Sequence, residues 1–317
     1  MSFRYLAISA AIIMSIIVGA CGSDDAATDP ATTPATAPAD GTAGQGASAS
    51  GKVLYIGGIP DQNVATLERQ FELMASYLSD TTGLDVRFAP AADYAAIVVA
   101  FNRGDVHLVW FGGLTGVQAR AAVPGSTAIA QRPRDTEFHS KFIVQAGLDV
   151  TELEDLNGLT FTFGSESSTS GHLMPRHFLV EAGIDPDEDF DGVPSYSGSH
   201  DKTYKLVESG AFQAGVLNEA VWDKAVADGL VDTSKVVELY TTPAYFDYNW
   251  TIHAEVDEIF GDGTTMRVLD ALLALSADDS PEAAEMLELW ATDRFIASQN
   301  SNYDAILEVA TNLGIIQ

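Results

Sequence analysis

The sequence predicts an α/β protein of two lobes, and two features of the chain lead to this prediction. Short apolar strands alternate with helical patterns through the body of the chain, as they do in sheets covered by helices. This series is interrupted by extended crossings near residues 130–138 and 241–249. Paired crossings of this kind suit two lobes joined by hinge strands.

The first lobe begins with three strands and two helices. They are predicted, in the order strand, helix, strand, helix, strand, at residues 52–58, 63–78, 85–88, 94–102 and 106–111. The first helix carries apolar residues at helical spacing: Val64, Leu67, Phe71, Met74 and Leu78. Ligands of α/β proteins bind at the carboxyl ends of strands, so the loops after these strands are candidate site segments.

The second lobe is predicted to repeat this pattern between the two crossings. Its predicted elements are strands at 139–144, 159–163, 192–196 and 236–240, helices at 172–182 and 201–209, and a strand and helix within 214–227. Helices near 266–275 and 281–296 then return to the first lobe. We therefore expect one lobe of residues 51–135 plus 245–317 and another of residues 136–244.

The first 50 residues carry signals of export and anchoring. Arg4 precedes an apolar run that is too short to span a membrane, and the VGAC sequence ending at Cys21 resembles the lipobox of bacterial lipoproteins. We expect residues 1–20 to be a signal peptide, Cys21 to be lipidated, and residues 21–50 to be a flexible tether. The alternative is an ordinary cleaved signal with an incidental Cys21. Because Cys21 is the only cysteine, we expect no internal disulfide.

The charge of the chain excludes several partners. From residue 51 onward, 15 basic and 41 acidic side chains give a net charge of −26. This charge opposes binding to nucleic acid and to anionic membranes. It does not exclude a small anion in a closed cleft, because exposed charges more than about 8 Å away are screened by salt.

Residues 161–171, FTFGSESSTSG, predict an anion-binding turn. A strand runs through this turn into a helix, whose first turn offers unpaired N–H groups and a partial positive charge. Ser167, Ser168, Thr169 and Ser170 add hydroxyl groups at the same place. The simpler alternative is that Ser168 or Ser170 only caps the helix.

Four segments, taken in order, carry a resemblance to a known family. They are YIGGIPDQN at 55–63, ADYAAIVVAFNRGDVHLVWFGGLTGVQA at 92–119, FTFGSESSTSGHLMP at 161–175 and YSGSHDKTYKLVESGAFQAGVLNEAVWD at 196–223. Together they resemble the substrate-binding lipoproteins of bacterial ABC importers for phosphonate, phosphite and phosphate, most closely the branch described as selenate-binding. The resemblance covers residues 51–317. It implies a two-lobed, type II periplasmic-binding-protein fold, with a mixed sheet flanked by helices in each lobe and two hinge strands.

The resemblance implies that a small tetrahedral oxyanion lies between the lobes. The residues assigned to this ligand are Tyr94, Trp110, Phe111, Gly112, Ser167, Ser168, Thr169, Ser170, His200, Glu219 and Asp247. Tyr94 and His200 offer hydrogen-bond donors, so the site does not require a cationic side chain. Taken singly, Tyr94 has core packing as its alternative, and His200 has a helix start at which Ser199 is the N-cap.

Glu219 and Asp247 bear on which anion fits. The resemblance places both carboxylates toward the protonated or amino end of the ligand. A buried carboxylate would repel a fully deprotonated anion such as selenate or sulfate, whereas phosphite, phosphate or an aminophosphonate can donate a proton to it. Carboxylates that face the cleft therefore favour a phosphorus ligand, and carboxylates that turn outward favour a selenate-like one. The bulky Trp110 and Phe111 favour a compact ligand.

The function implied is capture of the oxyanion by hinge closure and its delivery to a membrane permease that works with a cytoplasmic ATPase. We expect a monomer in the cell envelope, lipid-anchored to the outer face of the cytoplasmic membrane or in the periplasm. No cofactor, metal or nucleic acid is expected. A sensor that presents its ligand to a membrane kinase is the alternative.

Enzyme activity is not expected. An exported hydrolase is disfavoured because the chain has no G-x-S-x-G elbow, and because His200 beside Asp201 at one helix start gives no geometry that would orient a base. The six histidines show no spacing typical of a metal site, since His172 and His177 are five residues apart.

Overall fold

The computed structural model describes residues 51–316, and the predicted signal peptide, Cys21 and tether lie outside them. Within these residues, eleven strands form two mixed sheets. The strands are β1 (Val53–Gly58), β2 (Asp85–Phe88), β3 (Leu108–Phe111), β4 (Thr127–Gln131), β5 (Ser140–Gln145), β6 (Phe161–Phe163), β7 (Ser195–Tyr196), β8 (Ala214–Asn218), β9 (Val236–Thr241), β10 (Asn249–Ile252) and β11 (Ile296–Ala297).

Ten α-helices cover these sheets in the described part of the chain. They are α1 (Val64–Thr82), α2 (Tyr94–Asn102), α3 (Gly113–Ala122), α4 (Met174–Glu181), α5 (His200–Glu208), α6 (Glu219–Ala227), α7 (Val256–Phe260), α8 (Thr264–Ala274), α9 (Pro281–Leu289) and α10 (Asp304–Asn312). None of these described helices is long and apolar enough to cross a membrane.

The first sheet has the strand order β2-β1-β3-β10-β4-β11. Strand β1 pairs in parallel with β2 and β3, whereas β10 runs antiparallel to both β3 and β4. The second sheet has the order β7-β6-β8-β5-β9, in which β6 is parallel to its neighbours and β5 is antiparallel to its own. We call each sheet with its helices a lobe, the first containing β1 and the second β5.

Each lobe has its own apolar core. The first lobe buries one continuous cluster, which contains the aromatic side chains of Phe71, Trp110, Trp250 and Trp290 and extends to Leu173 and Met174 of the second lobe. The second lobe buries two separate clusters. One surrounds Phe161, and the other contains Tyr204 of α5 and Trp222 of α6. Packing of aromatic side chains contributes most of the burial in such cores.

Two chain crossings join the lobes and pair with each other. Phe138 and Tyr245 exchange two backbone hydrogen bonds, of 2.8 and 3.0 Å. The first crossing was expected to be extended throughout, but residues Pro133–Thr136 form a 3₁₀ turn, so that part of the prediction is wrong. A buried ion pair between Arg132 and Asp135, at 2.6 Å, closes this turn and satisfies both charges.

Most predicted elements are present, and the differences have local causes. Val64 was counted on the apolar face of the first helix, but it is 66% exposed because it is the first residue of α1. The last predicted helix ends at Leu289, and Ala291 beyond it has a φ of +49°, a conformation that no helix continues. Gly113 was placed in a loop and instead begins α3.

Candidate functional site

Three of the four hydroxyl residues of the predicted anion-binding turn, Ser168, Thr169 and Ser170, have three different environments. The turn is a π-helical segment, Thr169–Leu173, that leads directly into α4. Ser168 accepts a hydrogen bond from the Gly171 N–H at 2.9 Å, so it caps the turn as the simpler alternative proposed. Thr169 Oγ1 accepts from the Leu114 N–H of the first lobe at 2.9 Å. Ser170 is buried, and its hydroxyl has no hydrogen-bond partner among the described residues.

Two glycines allow this turn to approach its neighbours. The Gly164 N–H donates to the Gly171 carbonyl at 2.8 Å. A Cβ atom on Gly171 would lie 2.9 Å from Ser168 Oγ and 3.0 Å from His200 Cε1. Contacts this short exclude a side chain, so glycine at this position lets the imidazole of His200 lie against the turn.

His200 is a neutral donor whose ring is oriented by a hydrogen bond from a backbone N–H group. Its ring Nδ1 accepts a hydrogen bond from the Asn218 N–H at 3.3 Å, so the ring proton is on Nε2. Nε2 is buried and has no partner among residues 51–316. Burial lowers the pKa of His200 to about 3, and the ring stays uncharged at neutral pH.

Asp247 is a buried carboxylate with one oxygen occupied. Oδ1 accepts from the Gly113 N–H at 2.9 Å, at the start of α3. Oδ2 is buried and has no hydrogen-bond partner in the described chain. Burial raises the pKa of Asp247 to about 7, although the Gly113 N–H acts to lower it. Asp247 can therefore exchange a proton near neutral pH.

Tyr94 is the first residue of α2 and is only 2% exposed. Its hydroxyl is buried without a hydrogen-bond partner in the part of the chain described. Burial, together with the charges of Asp61 and Asp247, holds the pKa of Tyr94 well above its ordinary value. The phenol is therefore protonated and available as a donor.

These residues carry four buried polar atoms that have no partner among residues 51–316, two from the first lobe and its crossing and two from the second lobe. The atoms are Tyr94 OH, Ser170 Oγ, His200 Nε2 and Asp247 Oδ2. A buried polar group without a protein partner can be satisfied by a bound ligand, so these four atoms are candidate ligand contacts. Three are neutral donors and the fourth exchanges a proton, which suits a small oxyanion that carries or shares a proton. Among residues 51–316, no group of three or more His, Cys, Asp and Glu side chains could hold a metal ion.

Gly112 lies close to three side chains. A Cβ atom on Gly112 would lie 3.1 Å from Thr169 Oγ1, 3.2 Å from Asp247 Oδ1 and 3.6 Å from Ile59 Cδ1. Gly112 thus lets the end of β3 lie close to Thr169 of the second lobe and to Asp247 of the second crossing. A side chain at position 112 would need these neighbours to move.

Three other predicted ligand residues have packing or backbone roles of their own. Trp110 packs against Tyr248 and Trp290 and lines a groove of about 180 Å³ together with Asp61 and Asn218. Phe111 is fully buried and packs edge to face with Phe101. Ser167 is half-buried, and its backbone N–H donates to Ser165 Oγ at 3.4 Å.

Glu219 also differs from Asp247. It begins α6 and pairs with Arg134 at 3.5 Å, with 14% of its side chain exposed. Its charge is thus balanced within the protein. Of the two carboxylates expected to face the ligand, only Asp247 presents an unpartnered buried oxygen.

Three residues at the border of the site were not predicted. Tyr248 donates to Asp61 Oδ2 at 2.8 Å and accepts from Asn218 Nδ2 at 2.8 Å. Burial raises the pKa of Asp61 to about 6, although Tyr248 and Arg132 act to lower it. Asp61 lies in the loop after β1, a segment that the strand-end rule had indicated. Asn218 and Tyr248 carried no comparable signal.

Two lobes joined by paired crossings, with unpartnered polar groups buried between them, are the arrangement of a periplasmic binding protein. The solved structure of PhnD1 from Prochlorococcus marinus (MIT 9301) in complex with methylphosphonate has a TM-score of 0.81 to this chain, with 40% sequence identity, and the match covers 84% of this chain and 99% of that one. The predicted fold is therefore confirmed. A binding protein component of an ABC phosphonate transporter from Pseudomonas aeruginosa has the same fold, with a TM-score of 0.72 and 19% identity over 81% of this chain and 85% of that one.

The sequence comparisons identify the family. The model for the periplasmic substrate-binding proteins of phosphonate ABC transporters matches residues 56–303, so the chain belongs to this family, as predicted. It is 39% identical, over 84% of its length and 91% of the relative, to the protein named "Probable ABC transporter phosphite binding protein PhnD1" of Prochlorococcus marinus (strain MIT 9301). It is 27% identical to the phosphate-import protein PhnD of Mycolicibacterium smegmatis, over 58% of this chain and 61% of that one. These relatives are binding proteins of transporters and not enzymes.

Proposed function

We propose that this protein captures phosphite or a small phosphonate such as methylphosphonate between its two lobes. The observation that carries the proposal is the set of four buried polar atoms without partners, Tyr94 OH, Ser170 Oγ, His200 Nε2 and Asp247 Oδ2. Neutral donors can bind the oxygens of an oxyanion, and Asp247 can take or share the proton of a ligand that has one.

This chemistry separates phosphorus oxyanions from sulfate and selenate. Phosphate groups have a second pKa of about 6 and keep or share a proton near neutral pH. Sulfate and selenate have no proton to share, so the carboxylate of Asp247 repels them unless it is itself protonated. The relatives named for phosphite and solved with methylphosphonate agree with a phosphorus ligand.

Closure of the lobes on the ligand would create the form that an ABC permease recognises. The Leu114 to Thr169 hydrogen bond joins the two lobes directly beside the site and fits such a closed form. We further propose that lipidation of Cys21 holds the protein at the outer face of the cytoplasmic membrane. A Cys21→Ala variant should then appear in the soluble fraction, whereas the unaltered protein stays with the membrane.

Calorimetric titration of the purified protein tests the ligand. We expect phosphite or methylphosphonate to bind at least about 10-fold more tightly than sulfate or selenate at pH 7, because one charge-assisted hydrogen bond contributes about 1.5 kcal/mol or more. Phosphate and aminoethylphosphonate complete the series and test the limit on ligand size. Equal or tighter binding of selenate would contradict the proposal.

A further inference from the structure

Asp61 holds two separate parts of the molecule at once. It lies in the loop after β1 of the first lobe and is 7% exposed. Its carboxylate Oδ2 accepts from the Tyr248 hydroxyl at 2.8 Å. Its backbone carbonyl accepts from the His200 N–H at 2.9 Å, at the start of α5 in the second lobe. One residue thus bonds to the second crossing through its side chain and to the opposite lobe through its backbone.

Asn218 completes the connection from the other side. It ends β8 of the second lobe and donates from Nδ2 to the Tyr248 hydroxyl at 2.8 Å. Its side-chain Oδ1 accepts from the Val221 N–H at 2.7 Å, which fixes the orientation of the amide. Its own backbone N–H donates to His200 Nδ1. Asp61, Tyr248, Asn218 and His200 therefore form a closed series of hydrogen bonds, which we call the interlobe network.

The network spans both lobes. Asp61 and Tyr248 belong to the first lobe and its crossing, whereas Asn218 and His200 belong to the second. Every bond in it that joins the two pairs needs the lobes to be together. Of the four network residues, only His200 also presents an unpartnered atom to the proposed ligand site.

We propose that Asp61 is a positioning residue that couples lobe closure to the presentation of the His200 Nε2–H donor toward the bound anion. Through Tyr248 and Asn218 it keeps the second lobe seated against the first, and through its carbonyl it fixes the start of α5. In the closed form, His200 is then held dry, neutral and correctly turned toward the anion. Because the network forms only when the lobes are together, it stabilises the closed form and so strengthens binding of the enclosed ligand. This inference rests on the proposed function.

Affinity measurements with methylphosphonate form the first part of the test. Asp61→Ala and Tyr248→Phe each remove hydrogen bonds of the network, and we expect each to weaken binding about 10-fold, chiefly through faster dissociation. Asp61→Asn keeps an oxygen that can accept from Tyr248, so it should stay within about 3-fold of the unaltered protein. Asp201→Ala is the matched control, because it removes a neighbouring carboxylate that bonds to Ser199 and lies outside the network.

The second part is a property of His200 that a general loss of stability would not change. In the protein saturated with methylphosphonate, nitrogen NMR of the imidazole should show the Nε2–H tautomer and no titration between pH 5 and 8. In Tyr248→Phe, water should reach the ring, and the pKa should rise toward the ordinary value of about 6.5.

The outcomes separate this inference from the proposed function. If the unaltered protein binds no phosphorus oxyanion, the proposed function fails. If it does bind, but Tyr248→Phe has unchanged affinity and an unchanged His200 titration, the role of Asp61 is overturned. If Asp61→Ala does not fold, Tyr248→Phe and Asp61→Asn decide the question, since each changes a single atom or group.

Discussion

Asp247 and Glu219 are two acidic residues that were both expected to face the ligand, and the structure places them in different surroundings. Asp247 lies on the second crossing, is 1% exposed and pairs with no cation, while an N–H group from α3 occupies only one of its oxygens. Glu219 lies at the start of α6 and is balanced by Arg134. The comparison teaches that a carboxylate can discriminate between protonated and deprotonated ligands only where the protein leaves its charge uncompensated. Residue type alone does not settle this.

The largest effect expected from this difference concerns stability. Burial raises the pKa of Asp247 from 3.8 to about 7, so its ionised form destabilises the folded protein above pH 7. This cost is relieved as the pH falls from about 7 toward 3.8, because the folded state takes up a proton that the unfolded state does not. The difference in unfolding free energy between the ligand-free protein and Asp247→Asn should therefore shift by about 4 kcal/mol between pH 8 and pH 4, in favour of the unaltered protein at low pH.

Urea unfolding of both proteins at the two pH values measures this shift. Comparing the two proteins at each pH cancels the contributions of His200 and the other buried histidines, which are common to both. A difference that is independent of pH would show that Asp247 is not an uncompensated carboxylate, and the contrast with Glu219 would disappear.

The next effect is a change of ligand preference. Asp247→Asn keeps an oxygen for the Gly113 N–H but replaces a proton acceptor by an amide donor. We expect phosphite affinity to fall by about 30-fold or more, and sulfate affinity to rise, because a charged hydrogen-bond partner contributes about 1.5 to 3 kcal/mol. Calorimetry with both anions measures the two changes. Parallel losses for phosphite and sulfate would mean that Asp247 only shapes the site.

The smallest effect belongs to Glu219. Glu219→Gln removes a charge that Arg134 already balances, and partly exposed ion pairs of this kind contribute little. Phosphite affinity should change by less than about 3-fold. The same titration used for Asp247→Asn gives the value. A loss as large as that of the Asp247 variant would make the two carboxylates equivalent and return Glu219 to the ligand site.

Much of the fold could be predicted from local patterns. The predicted limits of β2 and α2 agree with the structure, because short elements bounded by turn residues carry their signals locally. Helices α3, α7 and α10 were not predicted. Gly112 and Gly113 indicate a loop when read alone, yet Gly113 begins α3, whose first N–H groups are satisfied by Asp247 and Thr169 from distant parts of the chain.

The site was predictable as a set of segments and less so as a set of atoms. The hydroxyl-rich turn, Tyr94 and His200 were indicated by motif, and they do supply unpartnered donors. The sequence could not show that Ser168 and Thr169 are already engaged and that Ser170 is free, because Thr169 bonds to a residue 55 positions away. Nor could it show the interlobe network, which depends on four separate segments of the chain meeting in space.

The tryptophans of the first lobe have a practical consequence. Trp110, Trp250 and Trp290 lie within 5.4 Å of one another, measured between ring centroids. Trp110 also stacks on Tyr248 at 5.6 Å, and the Arg132 guanidinium lies over both of these rings. Because Tyr248 bonds to Asn218 of the opposite lobe, a rearrangement of the lobes alters the electronic surroundings of an indole. The protein thus contains its own optical reporter, and its native ultraviolet emission can follow binding in real time without a dye.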